Sequence, residues 1–81
     1  MTVKILAFGR IRETLGYGEG TFELRGAATP RALFAELQAA SPALEPLCAS
    51  TRFARNGTLV DAETELSDGD EIALLPPVGG G

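Results

Sequence analysis

Thr29-Pro30-Arg31-Ala32-Leu33-Phe34-Ala35-Glu36-Leu37-Gln38-Ala39-Ala40-Ser41-Pro42 decides the fold class of this 81-residue chain. Thr29 is a good N-cap, because its hydroxyl can accept from a free N–H of the first turn. Pro30 follows at the position where a missing N–H costs nothing. Leu33, Phe34, Leu37 and Ala40 then recur at the helical period and predict one apolar face. Ser41-Pro42 closes the helix, since the residue before proline is pushed out of the helical region. No other stretch combines both ends and a face, so the chain is expected to carry one main helix.

Outward from it, the periodicity changes from helical to extended. Val3 to Phe8 is rich in large apolar residues and reads as a first strand. Lys4 is its only charge, which predicts an inner strand with both faces mostly covered. Arg10 to Leu15 has room for one or two helical turns, stopped by Gly16. Gly16, Gly18 and Gly20 punctuate a loop whose spacing is not a dinucleotide fingerprint. Thr21 to Leu24 alternates as a short second strand. On the other side, Ala43 to Ala49 adds a further turn. Phe53-Ala54-Arg55 and Thr58-Leu59-Val60 flank Asn56-Gly57, a strong hairpin signal. Asp68-Gly69-Asp70 makes a tight turn into a last strand from Glu71 to Leu75; the Asp-Gly-Asp-Glu run is too compact for a calcium loop. The order predicts an α+β domain, with one helix lying across a sheet.

The totals exclude several classes of function. With no histidine, a serine or cysteine nucleophile served by a histidine base is ruled out. Eleven acids offer no spacing that singles out an acid/base pair. A net charge of −4 disfavours nucleic acid or an anionic membrane as partner. No run approaches the length of a membrane span, and Met1-Thr2-Val3-Lys4-Ile5 lacks the apolar region of a signal peptide. The single cysteine, Cys48, has no internal disulfide partner, and a cytoplasmic protein is expected. Between Leu47 and Ala49, Cys48 reads as a buried structural thiol rather than a persulfide carrier. No Lys or Arg follows Arg55, whereas Asp61, Glu63, Glu65, Asp68, Asp70 and Glu71 do. This acidic stretch suits either a solvated surface or a docking face for a basic partner.

The C-terminal stretch reads differently from the rest. Pro76-Pro77 ends strand pairing, because proline cannot donate to a ladder. Val78-Gly79-Gly80-Gly81 then provides backbone slim enough to thread where a Cβ would clash. Drawn out, residues 76–81 would reach roughly 20 Å. Residues 1–75 are therefore expected to form the domain and 76–81 a flexible tail. Its α-carboxylate, on Gly81, is the expected working group.

Val3-Lys4-Ile5-Leu6-Ala7-Phe8-Gly9-Arg10-Ile11-Arg12-Glu13, Asn56-Gly57-Thr58-Leu59-Val60 and Asp68 to Val78 with the glycine end closely resemble the small, sulfur-carrying subunit of molybdopterin synthase. The resemblance runs the full length. It implies a ubiquitin-like β-grasp fold whose first and last strands are central neighbours. It also implies that a separate activating enzyme adenylates Gly81 with ATP, and that a persulfide donor converts the adenylate to a thiocarboxylate. The sulfur then passes to a pterin precursor in the pocket of a large subunit. Gly79 and Gly80 would thread the tail, and Phe8, Arg12, Leu59, Leu75, Pro76 and Pro77 would face the large subunit. The implied assembly is a heterotetramer of two small and two large chains, with no metal or cofactor bound to the small one. Two departures are mild: three terminal glycines where two suffice, and Leu75 where an aromatic residue is frequent. A carrier for thiamine thiazole synthesis, a ubiquitin-like modifier joined to lysines through Gly81, and a binding domain with an inert tail stay open beside this reading.

Overall fold

The structure is a computed structural model and describes residues 1–77; the expectations for Gly79, Gly80 and Gly81 fall outside the described residues. β1 (Thr2–Ala7) alternates strictly, with Val3, Ile5 and Ala7 buried and Thr2 and Lys4 exposed. It is an inner strand, as expected, but only one of its faces is covered. Its two neighbours in the sheet shield its backbone, while Lys4 and Leu6 point to the side that no helix reaches.

α1 (Gly9–Leu15) follows directly, buries Ile11 and stops at Gly16, which adopts the left-handed region at φ 87° and donates to Arg12 O. β2 (Glu19–Glu23) begins two residues earlier than the alternation indicates, because Gly20 joins the ladder opposite Ile5. A side chain there would press on the Tyr17 ring, whose nearest carbon lies 3.3 Å from a Cβ position on Gly20.

α2 (Pro30–Ala40) has the predicted ends. Thr29 Oγ1 accepts from Ala32 N–H at 3.1 Å, Pro30 occupies the first turn, and Ser41 caps the other end. Leu33, Phe34 and Leu37 are buried, but Ala40 is exposed. The next side chain to reach the core is Leu44, on a 3₁₀ segment (Pro42–Ser50) that occupies the place of the predicted extra turn.

β3 (Arg52–Arg55) and β4 (Thr58–Val60) form the expected hairpin, with Asn56 at φ 48° and Gly57 at φ 88°. Two positive φ values in the central pair match the twist of the strands they join. β5 (Glu71–Leu75) runs parallel to β1 and antiparallel to β3, giving a mixed five-stranded sheet in the order β2-β1-β5-β3-β4. The first and last strands are thus central neighbours. α2 covers one face, where Phe34 meets Phe53 edge to face at a centroid distance of 6.3 Å.

The Asp68–Asp70 turn is a structural junction rather than an ion site. Asp68 Oδ1 accepts from Thr2 N–H at 2.7 Å, and Asp70 O accepts from Lys4 N–H at 2.8 Å. Both bonds dock the start of β5 beside the start of β1.

Candidate functional site

Strand alternation leaves a second sheet face, opposite α2, with its own apolar content. Leu6 lies beside Ala73, Ala73 beside Ala54, and Ala54 beside Leu59, so one row crosses β1, β5, β3 and β4. Cross-strand partners share a face, which puts all four side chains on the open side. Alanines in the middle and leucines at the flanks make the row shallow. Leu59 is 65% exposed, an unusual state for a leucine on a sheet. On one side the row is bounded by charge: Lys4 Nζ lies 3.7 Å from both Glu19 and Glu71.

On the other side it opens toward the chain's exit from the sheet. Leu75 pairs across from Arg52, and a cleft of about 540 Å³ is lined by Leu59, Leu75, Pro76 and Pro77 together with residues 49–52. Four of the six residues expected to face a partner are therefore brought together. Phe8 is 45% exposed and still extended (φ −132°, ψ 159°), so it continues the Leu6 side of β1 just beyond the row. Arg12 is exposed but set apart. Its guanidinium end lies against Gly18, in a separate concavity with Gly9, Glu13, Gly16 and Tyr17.

The electrostatics differ from a uniformly acidic approach to the tail. Asp68, Asp70 and Glu71 sit at the start of β5, whereas the chain leaves from its end, on the order of 13 Å further along at about 3.3 Å per residue. Several of the acids are already engaged. Arg55 Nε donates to Asp70 Oδ2 at 2.7 Å, and Arg31 Nε donates to Glu63 Oε2 at 3.1 Å. Arg52, beside Leu75, pairs with no carboxylate among the described residues, and neither do Arg10 and Arg12. Among the described residues the exit end thus presents three such cations, with Arg25 at the opposite end of the sheet also outside any ion pair.

Cys48 corrects a second expectation, for it is exposed rather than buried. A 3₁₀ segment repeats every three residues, so buried Leu44 and half-buried Leu47 share a side and Cys48 is turned outward.

Leu6, Ala54 and Ala73 were not singled out from sequence. The signal that finds them is parity: Leu6 stands two residues before Phe8, and Ala73 two before Leu75. Reading β1 as covered on both faces hid it.

The chain matches the ThiS family over residues 5–81. The molybdopterin synthase sulfur carrier subunit of Chlamydomonas reinhardtii is 41% identical over 83 residues, spanning 100% of both chains. Among solved structures, small archaeal modifier protein 1 of Methanosarcina acetivorans superposes with a TM-score of 0.82 at 31% identity, over 99% of this chain and 96% of that one. A chain from the complex of subunits 1 and 2 of the Helicobacter pylori molybdopterin-converting factor gives 0.69 at 33% identity, over 100% of both. The ubiquitin-like β-grasp expected from the resemblance is the fold these neighbours share.

Proposed function

The chain belongs to the ThiS family, and from that premise we propose that it is the sulfur carrier subunit of a molybdopterin synthase. The observation that carries the reading is the continuity of two features. The apolar row and its cleft adjoin Pro76-Pro77, and the chain runs on from there into Val78-Gly79-Gly80-Gly81. The open face docks a large subunit, and the glycine end enters that subunit's pocket. Support comes from the full-length likeness to the Chlamydomonas carrier and from the Helicobacter complex of two subunits.

The chemistry follows from the weakness of a carboxylate as an electrophile. In an activating enzyme, a Gly81 carboxylate oxygen attacks the α-phosphorus of ATP and pyrophosphate leaves, giving an acyl-adenylate. A persulfide sulfur then attacks the acyl carbon and AMP leaves. A thiol cleaves the acyl disulfide so formed, departing as a disulfide and leaving the thiocarboxylate. Its sulfur attacks a carbon of the pterin precursor within the large subunit in place of an oxygen substituent, which leaves. Water then cleaves the acyl C–S bond, returning the Gly81 carboxylate and leaving the sulfur on the pterin, with the large subunit supplying the catalytic side chains. On this reading the chain is no free-standing catalyst, binds neither ATP nor a metal, and works in the cytoplasm in a heterotetramer. No helix among the described residues is long and apolar enough to cross a membrane.

The likeness to small archaeal modifier protein 1 favours a second reading, in which the same Gly81 carboxylate is joined to lysines of other proteins. Intact-mass analysis of the protein recovered from its native host separates the two. A carrier shows one oxygen of its C-terminus exchanged for sulfur, whereas a modifier appears as conjugates through Gly81. Neither product would leave a binding domain with an inert tail.

A further inference from the structure

The turn from β1 into α1 is shaped around the chain's exit. Gly9 adopts φ 55°, in the left-handed region, directly after extended Phe8. A Cβ placed on it would stand 2.9 Å from Pro76 Cγ, 3.6 Å from Pro76 Cβ and 3.9 Å from Pro76 Cδ. The first of these distances is one that packed carbon atoms do not adopt, and the neighbour is a rigid ring bound to its own backbone. The pyrrolidine ring therefore occupies the space left by a side chain that Gly9 lacks. Gly16, Gly57 and Gly69 also have positive φ, yet a Cβ there meets no atom within 4 Å. Gly9 alone among these four unites a turn requirement with a close approach.

Pro76 is half-buried and Pro77 exposed, so Pro76 is the residue whose ring sets how the chain leaves β5. β1 and β5 are parallel neighbours, with Ala7 beside Leu74, which brings the β1–α1 turn alongside the exit of β5. We propose that Gly9 is a positioning residue for sulfur delivery: its bare backbone is a seat for Pro76, and that seat aims the C-terminal segment. The proposal rests on the carrier reading above. It separates two tasks on one face, for the Leu6–Leu59 row holds the partner while the Gly9 seat directs the reactive end. A change at Gly9 should then spare binding and spoil delivery.

The test uses full-length protein carrying a C-terminal thiocarboxylate, mixed with the large synthase subunit, in four forms: parent, Gly9→Ala, Pro76→Ala and the double variant. Gly9→Ala is expected to keep the parental Kd for the large subunit and lose about tenfold to a hundredfold in turnover, the scale that ångström displacements produce. Pro76→Ala removes the ring atoms that clash, so Gly9→Ala should cost no further turnover in that background, a non-additive cycle. A purely structural glycine, needed for φ alone, would lower turnover equally in both backgrounds and so overturn the proposal. Parental turnover in Gly9→Ala, or a loss confined to Kd, would also overturn it. If Gly9→Ala does not fold, Pro76→Gly decides. It empties the seat from the other side, and parental turnover there would reject the idea. Failure of the parent to deliver sulfur at all would sink the carrier reading instead. The seat is then judged by nuclear Overhauser effects between the Gly9 α-protons and the Pro76 ring, whose absence would refute it.

Discussion

The carboxylate of Asp70 accepts from three directions: Ser67 N–H at 2.8 Å, the Arg55 guanidinium at 2.7 Å and the Asn56 amide at 3.1 Å. Asn56 in turn accepts from Glu71 N–H at 2.9 Å, so one buried acid ties the hairpin turn to the start of β5. The Ser67 N–H is the main reason its carboxyl is held below the ordinary 3.8, with Asn56 and Arg55 adding to it against the cost of burial. A pKa depressed by folding stabilises the native state fully above the unfolded value and ceases to do so as pH falls through the folded one. Asp70→Asn should therefore cost on the order of 2 kcal/mol near neutrality and flatten part of the loss of stability on acidification. Glu23 and Glu36 are also held low, by the N-terminal ammonium and by the Arg25 and Gly26 N–H groups respectively, and keep the remainder. Urea unfolding near neutral pH and at about pH 3 checks this; an acid sensitivity equal to the parent's would contradict it. Leu59 poses the opposite case, a large apolar side chain with little to lose in folding. Leu59→Asp should leave circular dichroism unchanged while weakening the large-subunit complex by about 1.4 kcal/mol or more, roughly tenfold or greater in Kd. Undiminished affinity would remove Leu59 from the interface.

Elements whose signals are local were the ones legible in the sequence. α2 carries its N-cap, its first-turn proline and its terminating Ser41-Pro42 within a few residues, and Asn56-Gly57 needs only its own two φ values. Those readings survive intact. What escaped depends on distant partners. Gly20 is a strand residue because Ile5 pairs with it and Tyr17 fills its empty side, neither of which its own neighbours reveal. Ala40 obeys the helical period but lies exposed, and Cys48 is turned outward by a 3₁₀ rather than an α repeat. Leu37 marks where α2 last grips the core, at 2% exposure. Leu37→Ala should cost about 2–5 kcal/mol, since truncation removes buried methyl groups and leaves a cavity in their place. Ala40→Ser, one turn on and already in water, should shift stability by less than about 0.5 kcal/mol. Chemical denaturation of both variants compares them directly; equal costs would mean that the helix is anchored through its last turn after all.

On the carrier reading, the whole molecule divides its labour between a packed body that binds and a glycine end that delivers. Of the residues expected to serve the site, Leu59, Leu75, Pro76 and Pro77 could be named because a sequence resemblance picks them out. The row that links them could not, because it exists only when four strands are laid in register. The core cluster and the sheet-closing hydrogen bonds described among residues 1–77 already account for a packed β-grasp body, and on the carrier reading the final glycine serves delivery rather than packing. Deleting Gly81 should accordingly leave the urea midpoint unchanged. It should nevertheless abolish molybdopterin formation, because the acyl carbon is drawn back by one residue, about 3.3–3.6 Å. Reaction geometry tolerates far less than that, since reacting atoms must approach to about 3–3.5 Å and be aligned. One residue added after Gly81 should be as damaging, for it pushes the acyl carbon past the same point. Gly79→Ala should be borne better than Gly80→Ala, because the narrowest part of a threaded pocket lies nearest the reacting end. The measurement is conversion of the pterin precursor by each thiocarboxylated chain with the large subunit. Full turnover by a chain lacking Gly81 would mean that the C-terminal carbonyl is not where sulfur is carried, however well the open face binds.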